Sequence, residues 1–163
     1  QKDIAGMNTA FIAEWGQGSP VIGFAGEFDA LGGLSQKCQP VQEPVEAGAP
    51  GHGCGHNLLG VGCMAGAIGL KEWLDGNGQS GTVRYYGCPA EEGGAGKTFM
   101  QRAGFFDDLD VAFNYHPSNT TFASKGSDVG VNHIRFQFHG KTAHAGGSPQ
   151  MGRSALAAGA PLW

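Results

Sequence analysis

Between Asn57 and Asp75 the apolar residues Leu58, Val61, Ala65, Ile68 and Leu70 recur at helical spacing, and a strand-like apolar run stands on each side, Val21–Phe28 before it and Thr82–Cys88 after it. A strand, a helix and a strand in this order predict a right-handed crossover, and so an α/β fold whose mostly parallel sheet is flanked by helices. The helix also carries Gly60, Gly62, Gly66 and Gly69. Each costs up to about 1 kcal/mol against alanine, which close packing of the helix on a sheet would offset. Alternation and aromatic content mark further strands at Thr9–Trp15, ahead of the turn signal GQGSP, and at Leu109–Tyr115. A short helix is expected over Lys97–Arg102. After Gly126 the pattern changes: Val131–Phe138 alternates like a half-exposed strand, and SPQMGRSALAA reads as the start of a helix. Two domains are therefore expected, residues 1–127 and the opening of a smaller α+β unit over 128–163.

The chain carries 10 Lys+Arg against 14 Asp+Glu, a net charge of -4, which argues against nucleic acid as a partner. No run approaches the roughly 18 apolar residues of a membrane span, and the opening QKDIAGMNTA has no secretory pattern. The four cysteines, at 38, 54, 63 and 88, form no C-x-x-C pair, and a chain that can bury a core and shows no secretory signal favours a reducing, cytoplasmic setting over a disulfide framework. Cys38, Cys63 and Cys88 read most simply as small buried hydrophobes. The run GGAGK, ending at Lys97, lacks the spacing of a phosphate loop, so a nucleotide site is rejected.

Chemistry concentrates in GHGCGHN (51–57), PAEE (89–92) and NYHP (114–117), each at a loop or strand end. In open α/β sheets ligands bind beyond the carboxyl ends of the strands. His52, Cys54 and His56 alternate, so a bent loop can aim two of them at one point. Thiolate and imidazole suit zinc and its neighbours, and carboxylate accommodates manganese as well. Glu91 and Glu92 are adjacent and in an extended chain would point apart. One can then ligate a metal while the other acts as a base, the division that metal-assisted hydrolysis needs. A cysteine-nucleophile hydrolase built on Cys54 and a nearby histidine is the weaker alternative.

The stretches GEFDALGGLSQ (26–36), GAPGHGCGHNLLG (48–60), CPAEEGGAGK (88–97), NYHP (114–117) and HGKTAHAGGSPQMGRSAL (139–156) together resemble the metallohydrolases that include glutamate carboxypeptidase, aminoacylase and the auxin-conjugate amidohydrolases. The resemblance implies that Cys54, His56, Glu92 and His116 ligate two divalent ions, zinc or manganese. It implies that Glu91 is the general base and that Asp29 supports the site without binding metal. His144 then matches a lid-domain histidine that polarises the scissile carbonyl, usually across a homodimer. The implied substrates are N-acyl or N-aroyl amino acids, aminobenzoyl-glutamate among them, or short peptides. The resemblance also implies a distal histidine ligand beyond Trp163, which makes this the N-terminal part of a longer enzyme, with a truncated, inactive homologue that at most binds metal or a partner as the alternative.

Overall fold

The computed structural model describes residues 1–123, 130–132 and 134–160. The chain separates into two compact units, Gln1–Thr121 and Phe122–Trp163, so the first ends short of the expected residue 127. In the first unit β1 (Phe11–Gln17), β2 (Val21–Glu27), β3 (Gly81–Cys88) and β4 (Val111–Phe113) form one sheet in the order β1-β3-β2-β4. β2 runs parallel to both β3 and β4, with Val21 opposite Thr82 and Ile22 opposite Val111. β1 is antiparallel to β3, Phe11 facing Gly87. Thus β1 and β2, neighbours in sequence across GQGSP, are not neighbours in the sheet, because β3 lies between them.

The crossover between β2 and β3 runs through α1 (His56–Gly76). Its buried face is not the one that the large apolar side chains suggest. Leu59, Cys63, Ala67 and Leu74 are buried, whereas Leu58, Val61 and Ile68 are 64%, 58% and 51% exposed. The small residues decide which face docks. A Cβ on Gly60 would stand 2.9 Å from the Glu27 carbonyl oxygen, and one on Gly66 3.0 Å from the Phe24 ring. Glycine at these points lets the helix backbone sit on the sheet, and the contact it gains offsets the lost helix propensity.

β3 is covered on both faces, as its central position requires. Val83 and Tyr85 pack with Ala67, Leu70 and Leu74. The alternate residues Tyr86 and Cys88 pack with Ile4, Ile12 and Met100, the last on α3 (Gly96–Arg102). The Tyr85 hydroxyl donates to the Gly60 carbonyl at 3.1 Å, tying strand to helix.

The second unit holds a 3-10 turn at Pro149–Met151 and the short helix α4 (Ala155–Gly159), whose Ser154 Oγ accepts the Ala157 N–H at 3.1 Å. The expected single helix is interrupted because Gly152 is extended (φ -89, ψ 166). The expected strand Val131–Phe138 is not formed among its described residues. Val131 and Ile134 are each 70% exposed. Alternation supplies a sheet face, but a strand also needs a neighbour to pair with. His133 lies outside the described residues. No helix among the described residues is long and apolar enough to cross a membrane.

Candidate metal centre

Because β2, β3 and β4 are parallel, the segments that leave them emerge at one edge of the sheet. β2 leads into Asp29, β3 into Glu91 and Glu92, and β4 into His116. Gly55 turns the incoming loop into α1 with φ 86, so that Cys54 precedes the helix and His56 opens it. After β3, Ala90 adopts a left-handed conformation (φ 58) and starts the single-turn helix α2 (Glu91–Gly94). Glu91 and Glu92 are therefore helical rather than extended, and they do not point apart. Their carboxylates lie 3.6 and 3.7 Å from the same atom, Nε2 of His56.

His56 is 1% exposed, and its Nδ1 lies 3.0 Å from Oδ1 of Asp29. A carboxylate only accepts, so Nδ1 carries a proton, and in the neutral ring Nε2 presents a lone pair. Facing that lone pair are oxygens of Glu27 at 3.3 Å, Glu91 and Glu92. Nε2 of His56 and Oε1 of Glu92 are both buried without a hydrogen-bond partner among the described residues. Cys54, His56 and Glu92 each offer a donor atom within 4.8 Å of the others. Sγ of Cys54 is also 3.3 Å from Nε2 of His116, whose Nδ1 donates to the Pro117 carbonyl at 3.2 Å. His56 thus turns Nε2 toward carboxylates, whereas the exposed His116 turns its own toward the Cys54 thiol. Buried electron-rich atoms aimed at one another are costly unless a cation lies among them, and this mixed sulfur, nitrogen and oxygen set fits a divalent metal.

The local electrostatics agree. Burial acts to raise the Asp29 pKa, but the backbone N–H groups of Glu92 and Glu91, with His56, outweigh it and hold the carboxyl below its ordinary range. Asp29 Oδ2 takes the Glu92 N–H at 3.0 Å, so one carboxylate orients two candidate ligands. Burial, then the carboxylates of Glu92, Glu91 and Glu27, push the Cys54 thiol up from its ordinary value. A dication beside the sulfur reverses that balance.

A second donor set, Glu27, His56 and Glu91, escaped the sequence reading. Its signal was an acidic residue closing the otherwise apolar strand VIGFAGE. The Glu27 carboxylate is paired with the ammonium of Lys97. His52 is exposed and joins neither set. Cys38 is exposed, contrary to expectation, because its loop lies on the surface. Cys63 and Cys88 are buried, and burial pushes the Cys88 thiol up to about 12, which makes it inert. His144 belongs to the second unit. Its Nδ1 accepts the N–H groups of Gly146 and Gly147 at 3.1 and 2.8 Å, which leaves the ring proton on Nε2 as a donor.

Comparison with known proteins shows the family. Residues 23–158 match the model of Peptidase family M20/M25/M40, and the chain belongs to that family. It is 51% identical to a p-aminobenzoyl-glutamate hydrolase subunit of Escherichia coli, over 95% of this chain and 32% of that protein. Identity to mouse Xaa-Arg dipeptidase is 35%, over 93% of this chain and 33% of the dipeptidase. The chain therefore spans about a third of the length of these curated relatives. Among solved structures, a dinuclear metal-binding peptidase of the M20 family from Bacillus subtilis aligns over 71% of this chain and 32% of its own, with a TM-score of 0.54 and 30% identity.

Proposed function

We propose that this chain is the metal-binding part of an amidohydrolase that cleaves the amide bond of N-acyl or N-aroyl amino acids, with aminobenzoyl-glutamate as the leading candidate. The observation that carries the proposal is the buried, unpartnered pair His56 Nε2 and Glu92 Oε1, flanked by Cys54 and Glu91. The names of the relatives point to the same substrate class. Two divalent ions, zinc or manganese, held by Cys54, His56, Glu92 and His116, would supply Lewis acidity toward water and the scissile carbonyl.

The remaining roles fall to the protein itself. Glu91, 42% exposed where Glu92 is 24%, is the carboxylate more open to substrate. It takes a proton from the attacking water as the new C–O bond forms, then returns it to the leaving nitrogen as the C–N bond breaks. Asp29 holds His56 and Glu92 in register. The Nε2–H of His144 is suited to donate to the carbonyl oxygen as negative charge develops there. A homodimer that brings this donor to a partner's substrate, and a cytoplasmic location suited to four free thiols, complete the proposal.

The test is Glu91→Gln in a polypeptide extended to the length of the curated relatives. Hydrolysis of aminobenzoyl-glutamate should be lost while bound metal stays at the wild-type level. Turnover that survives the substitution would exclude Glu91 as the base.

A further inference from the structure

Gly96 and Lys97, the last two residues of GGAGK, have no part in the roles above. A Cβ at position 96 would stand 2.0 Å from the Pro89 carbonyl oxygen, so glycine alone lets α3 begin this close to the end of β3. The approach carries the next side chain, Lys97, back to the buried Glu27, where its ammonium bonds Oε1. The other oxygen, Oε2, remains 3.3 Å from His56 Nε2, and Glu27 can share a donor set with His56 and Glu91. Glu27 thus stands beside the same lone pair that Glu92 and Cys54 address, with one oxygen already committed to a cation.

We propose that Lys97 is a positioning residue that withholds Glu27 from the metal. A carboxylate in a buried ion pair is a weaker donor. Swinging it away would also leave the ammonium without its partner, a costly change in partly buried surroundings. Cys54, His56 and Glu92 then hold the cation, and Glu27 stays bonded to Lys97. This inference rests on the metal site of the proposed function and adds the device that keeps its ligand set selective.

The test measures the affinity of Zn(II) for the chain as it stands, by competition with a chromophoric chelator, in Glu27→Gln, Lys97→Met, Lys97→Arg and the Glu27→Gln/Lys97→Met double variant. Freeing Glu27 to ligate should make Lys97→Met bind about tenfold tighter, the size typical of changes around metal ligands. The double variant should return to within about threefold of wild type, as should Glu27→Gln and Lys97→Arg alone. A merely structural lysine would give weaker binding that Glu27→Gln does not correct. Loss of zinc in Glu27→Gln beyond about threefold would make Glu27 a ligand and overturn the inference, as would unchanged or weaker binding in Lys97→Met. If Lys97→Met does not fold, Glu27→Gln decides alone, since it leaves the lysine in place. A wild-type chain that takes up no zinc would sink the site and this inference together, whereas the other adverse results sink the inference only.

Discussion

Replacing Asp29 by alanine removes one carboxylate that serves two candidate ligands. Its Oδ1 fixes the His56 tautomer and its Oδ2 takes the Glu92 N–H, both at 3.0 Å. Without it, the ring of His56 is free to turn or to move its proton to Nε2, which abolishes the lone pair, and the turn that carries Glu92 loses its anchor. Losing one partner that orients a metal ligand costs about 10- to 100-fold in metal affinity, or about 1.4–2.7 kcal/mol. Because two ligands are released at once, Asp29→Ala should lie near the hundredfold end. Asp29→Asn keeps one acceptor oxygen but presents an NH₂ where the second stood, so it satisfies one of the two donors and should lose about tenfold. Chelator competition with Zn(II) at fixed pH gives both constants, and far-UV circular dichroism establishes that α1 and the sheet persist. Affinity in Asp29→Ala within about threefold of wild type, with the fold intact, would refute the orienting role.

The Cys88 thiol gives an alkaline prediction. Burial holds its proton to about 12 in the folded chain against an ordinary 9.0, so its contribution is complete below pH 9.0 and declines as pH rises toward 12. The gap sets a ceiling of about 4 kcal/mol. Urea unfolding across that range should show a shallower decline in Cys88→Ala than in wild type, and parallel declines would contradict the assignment. Two glycine substitutions should move stability in opposite directions. Gly96→Ala places a Cβ 2.0 Å from the Pro89 oxygen and should cost about 1–3 kcal/mol. Gly69→Ala, in α1 with nothing within 4 Å, should gain about 0.5–1 kcal/mol. A shared sign in urea unfolding would show that the packing around Gly96 is misjudged.

The α/β layout was legible because apolar runs and a long helical period mark β2, α1 and β3 directly. The docking face of α1 was not, since periodicity counts large apolar residues, whereas the helix approaches the sheet through Gly60, Cys63 and Ala67. Alternation in Val131–Phe138 misled for a related reason: it describes one face of a strand and says nothing of its pairing partner. In the site, Cys54, His56, Glu92 and His116 stood out by residue type and by their positions at loop and strand ends. The opposed directions expected for Glu91 and Glu92 failed because Ala90 turns the chain into a helical conformation. Glu27 and Lys97 stayed hidden, because a lone acid ending a strand and a lysine after glycines acquire meaning only when α3 folds back on β2.

The most direct test of the account is zinc K-edge X-ray absorption on the zinc-loaded chain. One sulfur at about 2.3 Å beside nitrogen and oxygen at about 2.0–2.2 Å, with the sulfur contribution vanishing in Cys54→Ser, is the expected result. A shell of oxygen and nitrogen without sulfur, or one with two or more sulfurs, would contradict the convergence of Cys54, His56 and Glu92 on one metal.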